Sequence, residues 1–177
     1  DGAQEQSYIS TIKKEIIQTQ FVFIGISVMT SQVPSALQVS KLIKEISPGI
    51  PLVWGGVHPT LFPAQVCRDS LIDIAIIGEG EFTAVELFKA IILGQGLGNI
   101  LGIAYKKGNE VVVNSGRPQA DINDIPFFNY DLLNIESYIK KDRSDVGGQH
   151  LEGGAIRRAL PVLSGLGCPY NCKFCIE

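Results

Sequence analysis

Apolar residues recur along this chain with two spacings, one typical of buried strands and one typical of helices. Three short apolar runs have the length expected for strands buried in a parallel sheet. These runs are Phe21–Val28, Ile50–Trp54 and Ile72–Ile77. Elsewhere apolar residues repeat every three or four positions, which predicts amphipathic helices. The repeating residues are Tyr8, Ile9, Ile12, Ile16 and Ile17, then Ala36, Val39, Ile43 and Ile46, and finally Val85, Phe88 and Ile92, with a further short helix over Ala64–Asp69.

This alternation of strands and helices predicts an α/β fold with a doubly wound parallel sheet, of the Rossmann-like or flavodoxin-like kind. A β-hairpin follows, because Gly102–Lys106 and Val111–Asn114 flank the turn Lys107-Gly108-Asn109. We therefore predict a Rossmann-like domain over residues 1–98, a hairpin and linker over 99–159, and the start of another domain over 160–177.

The loops that follow the three predicted strands share small and polar residues. Such loops lie at one edge of an open α/β sheet, where ligands bind, and glycine lets backbone N–H groups approach a ligand. The candidate ligand residues are Ser27 and Thr30 after the first strand, Gly55 and Gly56 after the second, and Gly78, Glu79 and Gly80 after the third. The third loop lacks the full glycine fingerprint of dinucleotide sites, and its acids disfavour a phosphate. The predicted ligand is therefore not a plain dinucleotide.

Three of the four cysteines form a compact cluster near the end of the chain: Cys168, Cys172 and Cys175. Three thiolates in a short loop can hold an iron–sulfur cluster and leave one iron open, whereas clusters used for electron transfer commonly have four cysteine ligands. Zinc is the alternative metal. It prefers four ligands, and no fourth cysteine or histidine lies near the cluster. The isolated Cys67, in a predicted helix, is interpreted as a small apolar residue.

The amino-acid composition limits the class of protein but does not indicate a function. Hydrophobic residues make up 45% and charged residues 19% of the chain, and the formal net charge is −3. These values are typical of a globular protein and give no basic bias toward nucleic acid. No apolar stretch reaches the ~18 residues of a membrane span, and the cysteine pattern is not a disulfide framework. We expect a cytoplasmic protein, since thiolate ligands must stay reduced.

The cysteine spacing, with Phe174 before the last cysteine, resembles the signature of radical S-adenosylmethionine enzymes. The resemblance implies that Cys168, Cys172 and Cys175 ligate a 4Fe–4S cluster, that S-adenosylmethionine chelates the fourth iron, and that Phe174 lies against its adenine. It also implies cleavage to a 5′-deoxyadenosyl radical and an electron donor such as a ferredoxin or flavodoxin. Residues 160–167 would be the first strand of a (β/α) barrel. A full barrel needs about 250 residues, so we expect this chain to be a fragment.

The loops after the strands resemble the cobalamin-binding domains that precede the barrel in some of these enzymes. In those domains a serine after one strand and a Gly-Gly pair after the next line the channel for the nucleotide tail of cobalamin, a pattern matched by Ser27, Gly55 and Gly56. The resemblance implies a cobalamin-dependent enzyme that transfers a methyl group to an unactivated centre or catalyses a radical cyclisation. The substrate, a small molecule or a peptide, is not specified by the sequence.

Two alternatives remain open at the level of sequence. The chain could be a non-catalytic flavodoxin-like module that binds a regulatory ligand, with the cysteines forming a structural metal site. A signalling receiver domain fits less well, because the strand ends lack clustered aspartates. His58 is a candidate cobalt ligand. However, Pro59 favours an extended conformation of the residue before it, and we interpret His58 as a hydrogen-bonding histidine in a loop.

Overall fold

The computed structural model describes residues 2–126, 129–132, 135–136 and 172–173. The chain divides into two compact units, one built from Asp1–Gln119 and the other from Ala120–Cys175. In the second unit the described part contains two short 3-10 helices, Ile122–Asp124 and Tyr130–Leu132. The predicted strand over 160–167 and the predicted ligands Cys168, Phe174 and Cys175 lie outside the described residues.

The first unit contains five helices and five strands. The helices are α1 (Gly2–Gln18), α2 (Val33–Ile46), α3 (Val57–Leu61), α4 (Pro63–Arg68) and α5 (Glu81–Ile92). The strands are β1 (Ile24–Ser27), β2 (Leu52–Gly55), β3 (Ile74–Ile76), β4 (Ile103–Lys107) and β5 (Glu110–Val113). Short 3-10 helices cover Thr30–Gln32 and Leu97–Asn99. Among the described residues, no helix has both the length and the apolar character needed to cross a bilayer.

The five strands form one sheet in the order β1-β2-β3-β4-β5. β1, β2 and β3 are parallel neighbours, with Ile26 beside Trp54 and Trp54 beside Ala75. β4 runs antiparallel to β3, and β5 antiparallel to β4. The predicted hairpin therefore continues the sheet, and Gly108 (φ 61°) occupies the first position of its two-residue turn, where a positive φ is required.

Helices cover both faces of the sheet, which confirms the doubly wound α/β fold. Successive side chains of a strand point to opposite faces, so Trp54 and Val53 belong to different cores. One core combines strand residues with α1, α2 and α4: Ile16, Val28, Ala36, Ile43, Leu52, Trp54, Val66, Cys67, Ile72, Ala75 and Ala104. The other packs the sheet against α5: Val53, Ile74, Ile76, Leu87, Ala90, Ile100 and Ile103. Trp54, the last residue of the second predicted apolar run, is 1% exposed.

The apolar repeat that predicted α5 does not lie on the buried side of the helix. Val85, Phe88 and Ile92 are exposed, whereas Thr83, Leu87 and Ala90 are buried. α5 is apolar on both sides, so periodicity alone does not select the buried one. The Thr83 hydroxyl orients the helix, because it donates a hydrogen bond to the Leu101 carbonyl (3.3 Å) and accepts one from Arg117 (2.8 Å).

The extended loop predicted around His58 was also wrong. His58 and Pro59 are both in the first turn of α3. Proline is tolerated there, because the first N–H groups of a helix have no partner within the helix. The structural preference of the residue before proline is therefore overridden by the short helix.

Candidate functional site

The carboxyl ends of β1, β2 and β3 lie at one edge of the sheet, here called the rim. It consists of the loops 28–32, 56–60 and 77–80 together with the last residues of the strands. Ser27 and Gly55 are register partners at the ends of β1 and β2. Gly78, Glu79 and Gly80 connect β3 to α5. The structure thus brings the predicted ligand residues of the first domain to the same edge, as their positions after parallel strands require.

The first two loops of the rim are in close contact at Gly56. Gly56 has φ 91° and ψ −165°, a conformation that is essentially restricted to glycine. A Cβ at this position would lie 2.9 Å from Ser27 Oγ and 3.0 Å from the Val28 nitrogen. The same loops exchange backbone hydrogen bonds, from Val28 N–H to Gly55 O (2.8 Å) and from His58 N–H to Val28 O (2.9 Å). Gly56 is therefore required by the packing of the rim itself.

Thr60 connects the second loop to the third. Its hydroxyl donates to the Gly56 carbonyl (2.8 Å) and accepts from the Gly78 N–H (2.9 Å). One side chain thereby fixes the distance between the β2 and β3 loops. The role of Thr60 was not predicted from the sequence. The signal was a threonine four residues after Gly56 at the end of a short helical turn, where its hydroxyl can reach the carbonyl of residue i−4.

His58 belongs to the second loop of the rim and is only 9% exposed. Its Nδ1 is 3.3 Å from the Thr30 hydroxyl, and its ring centroid is 5.3 Å from that of Phe62. The imidazole therefore contributes to the connection between the first and second loops. These contacts fit the hydrogen-bonding role that was preferred for His58 from sequence.

The third loop is the open part of the rim. Gly78 has φ 75°, and no heavy atom lies within 4 Å of the position where its Cβ would be. Beside it, Glu79 Oε2 is buried and has no hydrogen-bond partner. Among the described residues it is the one buried side-chain nitrogen or oxygen atom that lacks a partner. A buried acceptor without a donor costs free energy. The loop therefore offers backbone access and an unused acceptor to a ligand that carries hydrogen-bond donors.

Several apolar side chains in the first two loops, or directly after the second, are exposed. They are Met29, Val57, Leu61 and Phe62, whose exposed fractions lie between 42% and 55%. Clusters of exposed apolar side chains mark binding surfaces more often than scattered ones do. The rim thus combines apolar contact surface with a small number of polar groups, as is typical of sites for organic cofactors.

A separate cavity of about 490 Å³ lies at the other end of the sheet. Its lining includes Pro51 and Asp73, which precede β2 and β3, and Lys44 at the end of α2. Lys44 Nζ and Asp73 form an ion pair at 2.6 Å, and Asp73 also accepts the Leu52 N–H at 2.7 Å. These polar groups are already paired with one another, so their contacts account for them without a ligand.

The described cysteines have opposite environments. Cys172, one of the three predicted cluster ligands, is exposed. Cys67 is fully buried in α4 and lies 3.3 Å from the Ala104 carbonyl, which agrees with its interpretation as a small core residue. Burial raises the pKa of the Cys67 thiol to about 11. Among the described residues, no group of three His, Cys, Asp or Glu side chains could hold a metal ion. Cys172 is the one member of the cysteine cluster that the described part of the chain includes.

Comparison with known proteins gives a consistent picture. Residues 2–88 match the family model of the B12 binding domain. An uncharacterized methyltransferase of Pyrococcus horikoshii is 34% identical over 177 residues, which cover 99% of this chain and 36% of that protein. The anaerobic magnesium-protoporphyrin IX monomethyl ester cyclase of Synechocystis sp. is 27% identical over 157 residues, which cover 88% of this chain and 29% of that protein. The chain therefore spans about a third of the length of these relatives.

A solved structure with a similar fold is that of the cobalamin-dependent S-adenosylmethionine radical enzyme OxsB, with aqua-cobalamin and S-adenosylmethionine bound. The TM-score is 0.54 and the sequence identity 28%, and the match covers 63% of this chain and 16% of that one. The likeness supports the α/β architecture derived above from the sheet and its two cores.

Proposed function

Because residues 2–88 belong to the B12-binding domain family, we propose that this chain binds cobalamin at its rim. The family match is the observation that carries the proposal. Two features of the rim support it: the space beside Gly78 and the unpartnered Oε2 of Glu79. Open α/β sheets bind cofactors at this edge. The residues present therefore fit a large organic cofactor that carries amide groups.

The residues of the three loops would hold the cofactor in different ways. Ser27 and Thr30 would provide hydroxyls, and the open backbone at Gly78 would approach the cofactor, with Gly80 in the same loop. Glu79 Oε2 would accept a hydrogen bond from a cofactor amide and so gain the partner that it lacks. Gly55 and Gly56 would act indirectly, because their packing keeps the first two loops together. When bound, cobalamin supplies a redox-active cobalt that can carry a methyl group.

We further infer that the longer protein is a cobalamin-dependent radical S-adenosylmethionine enzyme. The cysteine spacing supports this inference, as does the likeness to OxsB at 28% identity. In this proposal Cys168, Cys172 and Cys175 ligate a 4Fe–4S cluster, and Phe174 contacts the adenine of S-adenosylmethionine. A ferredoxin or flavodoxin in a reducing cytoplasm would supply the electron.

Methyl transfer is the reaction that we favour, because the relative with 34% identity is a methyltransferase. Radical cyclisation is the second candidate, because a cyclase matches 88% of the chain. The two can be separated by their products from S-adenosylmethionine. A methyl transfer supported by the radical yields both S-adenosylhomocysteine and 5′-deoxyadenosine, whereas a cyclisation yields 5′-deoxyadenosine without S-adenosylhomocysteine.

The cofactor proposal is tested by anaerobic reconstitution of the full-length protein. Iron and sulfide are added with hydroxocobalamin, excess reagents are removed, and the absorption spectrum and metal content are recorded. We expect retained corrinoid and about four irons per chain. Cys172→Ala should lose the iron and keep the corrinoid, while the matched control Cys67→Ala should keep both. Iron without corrinoid would overturn the assignment of the rim, and zinc with neither would favour the non-catalytic module.

A further inference from the structure

Both ends of the third loop of the rim are attached to the same short segment, residues 101 and 102. Before the loop, the Ile77 N–H donates a hydrogen bond to the Gly102 carbonyl (2.8 Å). After the loop, the Thr83 hydroxyl in the first turn of α5 donates to the Leu101 carbonyl (3.3 Å). The middle of the loop is open, so the position of Glu79 within it depends on how these two ends are held.

Arg117 holds the end that follows the loop. Its Nε–H donates to the Thr83 hydroxyl (2.8 Å), and its Nη2 group is paired with the carboxylate of Glu86, three residues further along α5. The Arg117 side chain is only 18% exposed. A guanidinium carries its donors in fixed directions in one plane, so two partners on the same helix fix the helix and the arginine together. The segment that contains Arg117 is therefore attached to the first two turns of α5.

Gly102 lies at the centre of this junction and shows how closely its parts pack. Gly102 has φ 71°, and a Cβ there would lie 3.2 Å from the Ile77 carbonyl oxygen and 3.4 Å from both Arg117 Cβ and Thr83 Oγ1. Its N–H donates to the Ser115 carbonyl (2.8 Å). Closely packed groups transmit a displacement rather than absorb it. The start of the third loop, the first turn of α5 and the segment that follows β5 should therefore move together.

We propose that Arg117 is a positioning residue for the cofactor site. It bonds to α5 and thereby keeps the Glu79 carboxylate where a cofactor amide can reach it. This inference rests on the proposed binding of cobalamin at the rim. It adds that residues 115–119, which end where the second compact unit begins, are coupled to the third loop. A coupling between two sites is reciprocal, so a cofactor bound at the loop should also hold this segment in place.

The size of the effect follows from the fraction of molecules in which the loop is correctly placed. The apparent affinity for a ligand falls in proportion to that fraction. If the loop keeps its position in about one molecule in ten once the bonds of Arg117 are removed, the affinity for hydroxocobalamin falls roughly tenfold. Arg117→Met removes the hydrogen-bond donors and keeps most of the apolar length of the side chain.

Equilibrium dialysis of the full-length protein with hydroxocobalamin tests the proposal. Arg117→Met should bind roughly tenfold more weakly than the unaltered protein. Lys44→Met is the matched control, because Lys44 is similarly buried (17% exposed) and is paired with Asp73 at the other end of the sheet. Both variants should unfold at lower urea concentration, but Lys44→Met should keep the full affinity. A merely structural role for Arg117 predicts the same affinity for the two variants.

Thr83→Val provides a second test, which stays decisive even if Arg117→Met does not fold. It removes the hydroxyl and keeps the shape of the side chain, so it should also weaken binding. The double variant should bind no more weakly than either single variant, because both changes remove the same bond. In addition, hydroxocobalamin should slow amide hydrogen exchange over residues 115–119 in the unaltered protein but not in Arg117→Met.

Two kinds of failure can be distinguished. If the unaltered protein retains hydroxocobalamin and Arg117→Met and Thr83→Val bind it equally well, the positioning role is overturned while the proposed cofactor stands. An equal loss of affinity in Lys44→Met would overturn that role too, since the loss would then follow from stability alone. If the unaltered protein binds no hydroxocobalamin, the proposed function fails and this inference fails with it.

Discussion

Gly56→Ala should destabilise the protein by about 3–4 kcal/mol, and two separate costs add to this value. The first is conformational, because φ 91° with ψ −165° is a glycine conformation and costs other residues about 1–3 kcal/mol. The second is steric. The new Cβ would lie 3.0 Å from the Val28 nitrogen and 3.3 Å from its carbonyl oxygen, and both atoms are held by backbone hydrogen bonds. Such overpacking costs a further ~1–3 kcal/mol.

Gly78→Ala is the matched control for this prediction. Gly78 also has a positive φ, 75°, but no heavy atom lies within 4 Å of its Cβ position. Only the conformational cost remains, so we expect a loss of about 1–2 kcal/mol. Equilibrium urea unfolding measures both values, and the fluorescence of Trp54, the one tryptophan of the chain, reports the core. Equal losses for the two variants would refute the close contact between the first and second loops.

Four further predictions concern single side chains. Glu79→Gln should weaken the binding of hydroxocobalamin roughly tenfold in equilibrium dialysis, because a charged acceptor contributes about 1.5–3 kcal/mol; unchanged affinity would remove Glu79 from the site. Thr60→Val should cost about 1–2 kcal/mol and accelerate hydrogen exchange at the Gly78 N–H, which loses its acceptor, whereas unchanged exchange would contradict the bridge. Arg117→Met should cost about 1 kcal/mol in urea unfolding, since it removes the bonds to Thr83 and Glu86; a neutral effect would show that these bonds do not orient α5. Burial raises the pKa of Cys67 from 9.0 to about 11, so the contribution of the buried thiol to stability is full below pH 9 and is lost as the pH rises through 11. In Cys67→Ala the free energy of unfolding should no longer fall in this pH range for that reason, and identical stability–pH profiles for the variant and the unaltered protein would contradict the prediction.

The fold could be predicted from sequence because its strands are apolar runs between helical repeats. The strand boundaries differ from the predicted ones: the apolar run is Phe21–Val28, and β1 is Ile24–Ser27. The pairing begins where Ile24 N–H binds the Pro51 carbonyl, and β2 starts just after that proline. The orientation of α5 could not be predicted, because apolar residues lie on both of its sides and the choice depends on contacts distant in sequence, such as Arg117 with Thr83.

The position of the candidate site could be predicted from sequence, but the roles of its individual residues could not. The rule that ligands lie after parallel strands places Ser27, Gly56 and Gly78 at one edge. Sequence does not distinguish a glycine required by packing from one that leaves space for a ligand. Gly56 is of the first kind, because a Cβ there would meet atoms of another loop, whereas no heavy atom lies within 4 Å of the Cβ position of Gly78. The role of Thr60 could not be predicted either, because its hydrogen-bond partner Gly78 is eighteen positions away in another loop.

The rim therefore consists of a frame and an open loop with separate physical tasks. The frame is the pair of loops after β1 and β2. Backbone hydrogen bonds join these two loops, and their atoms leave no room for a Cβ at Gly56. The open loop is 78–80, where space and one unpartnered acceptor remain. Because the frame is held by contacts within the protein, changes there should alter stability and cofactor affinity together. Changes confined to the Glu79 carboxylate should alter cofactor affinity more than stability, because its Oε2 has no hydrogen-bond partner in the described part of the protein and would gain one from the proposed cofactor.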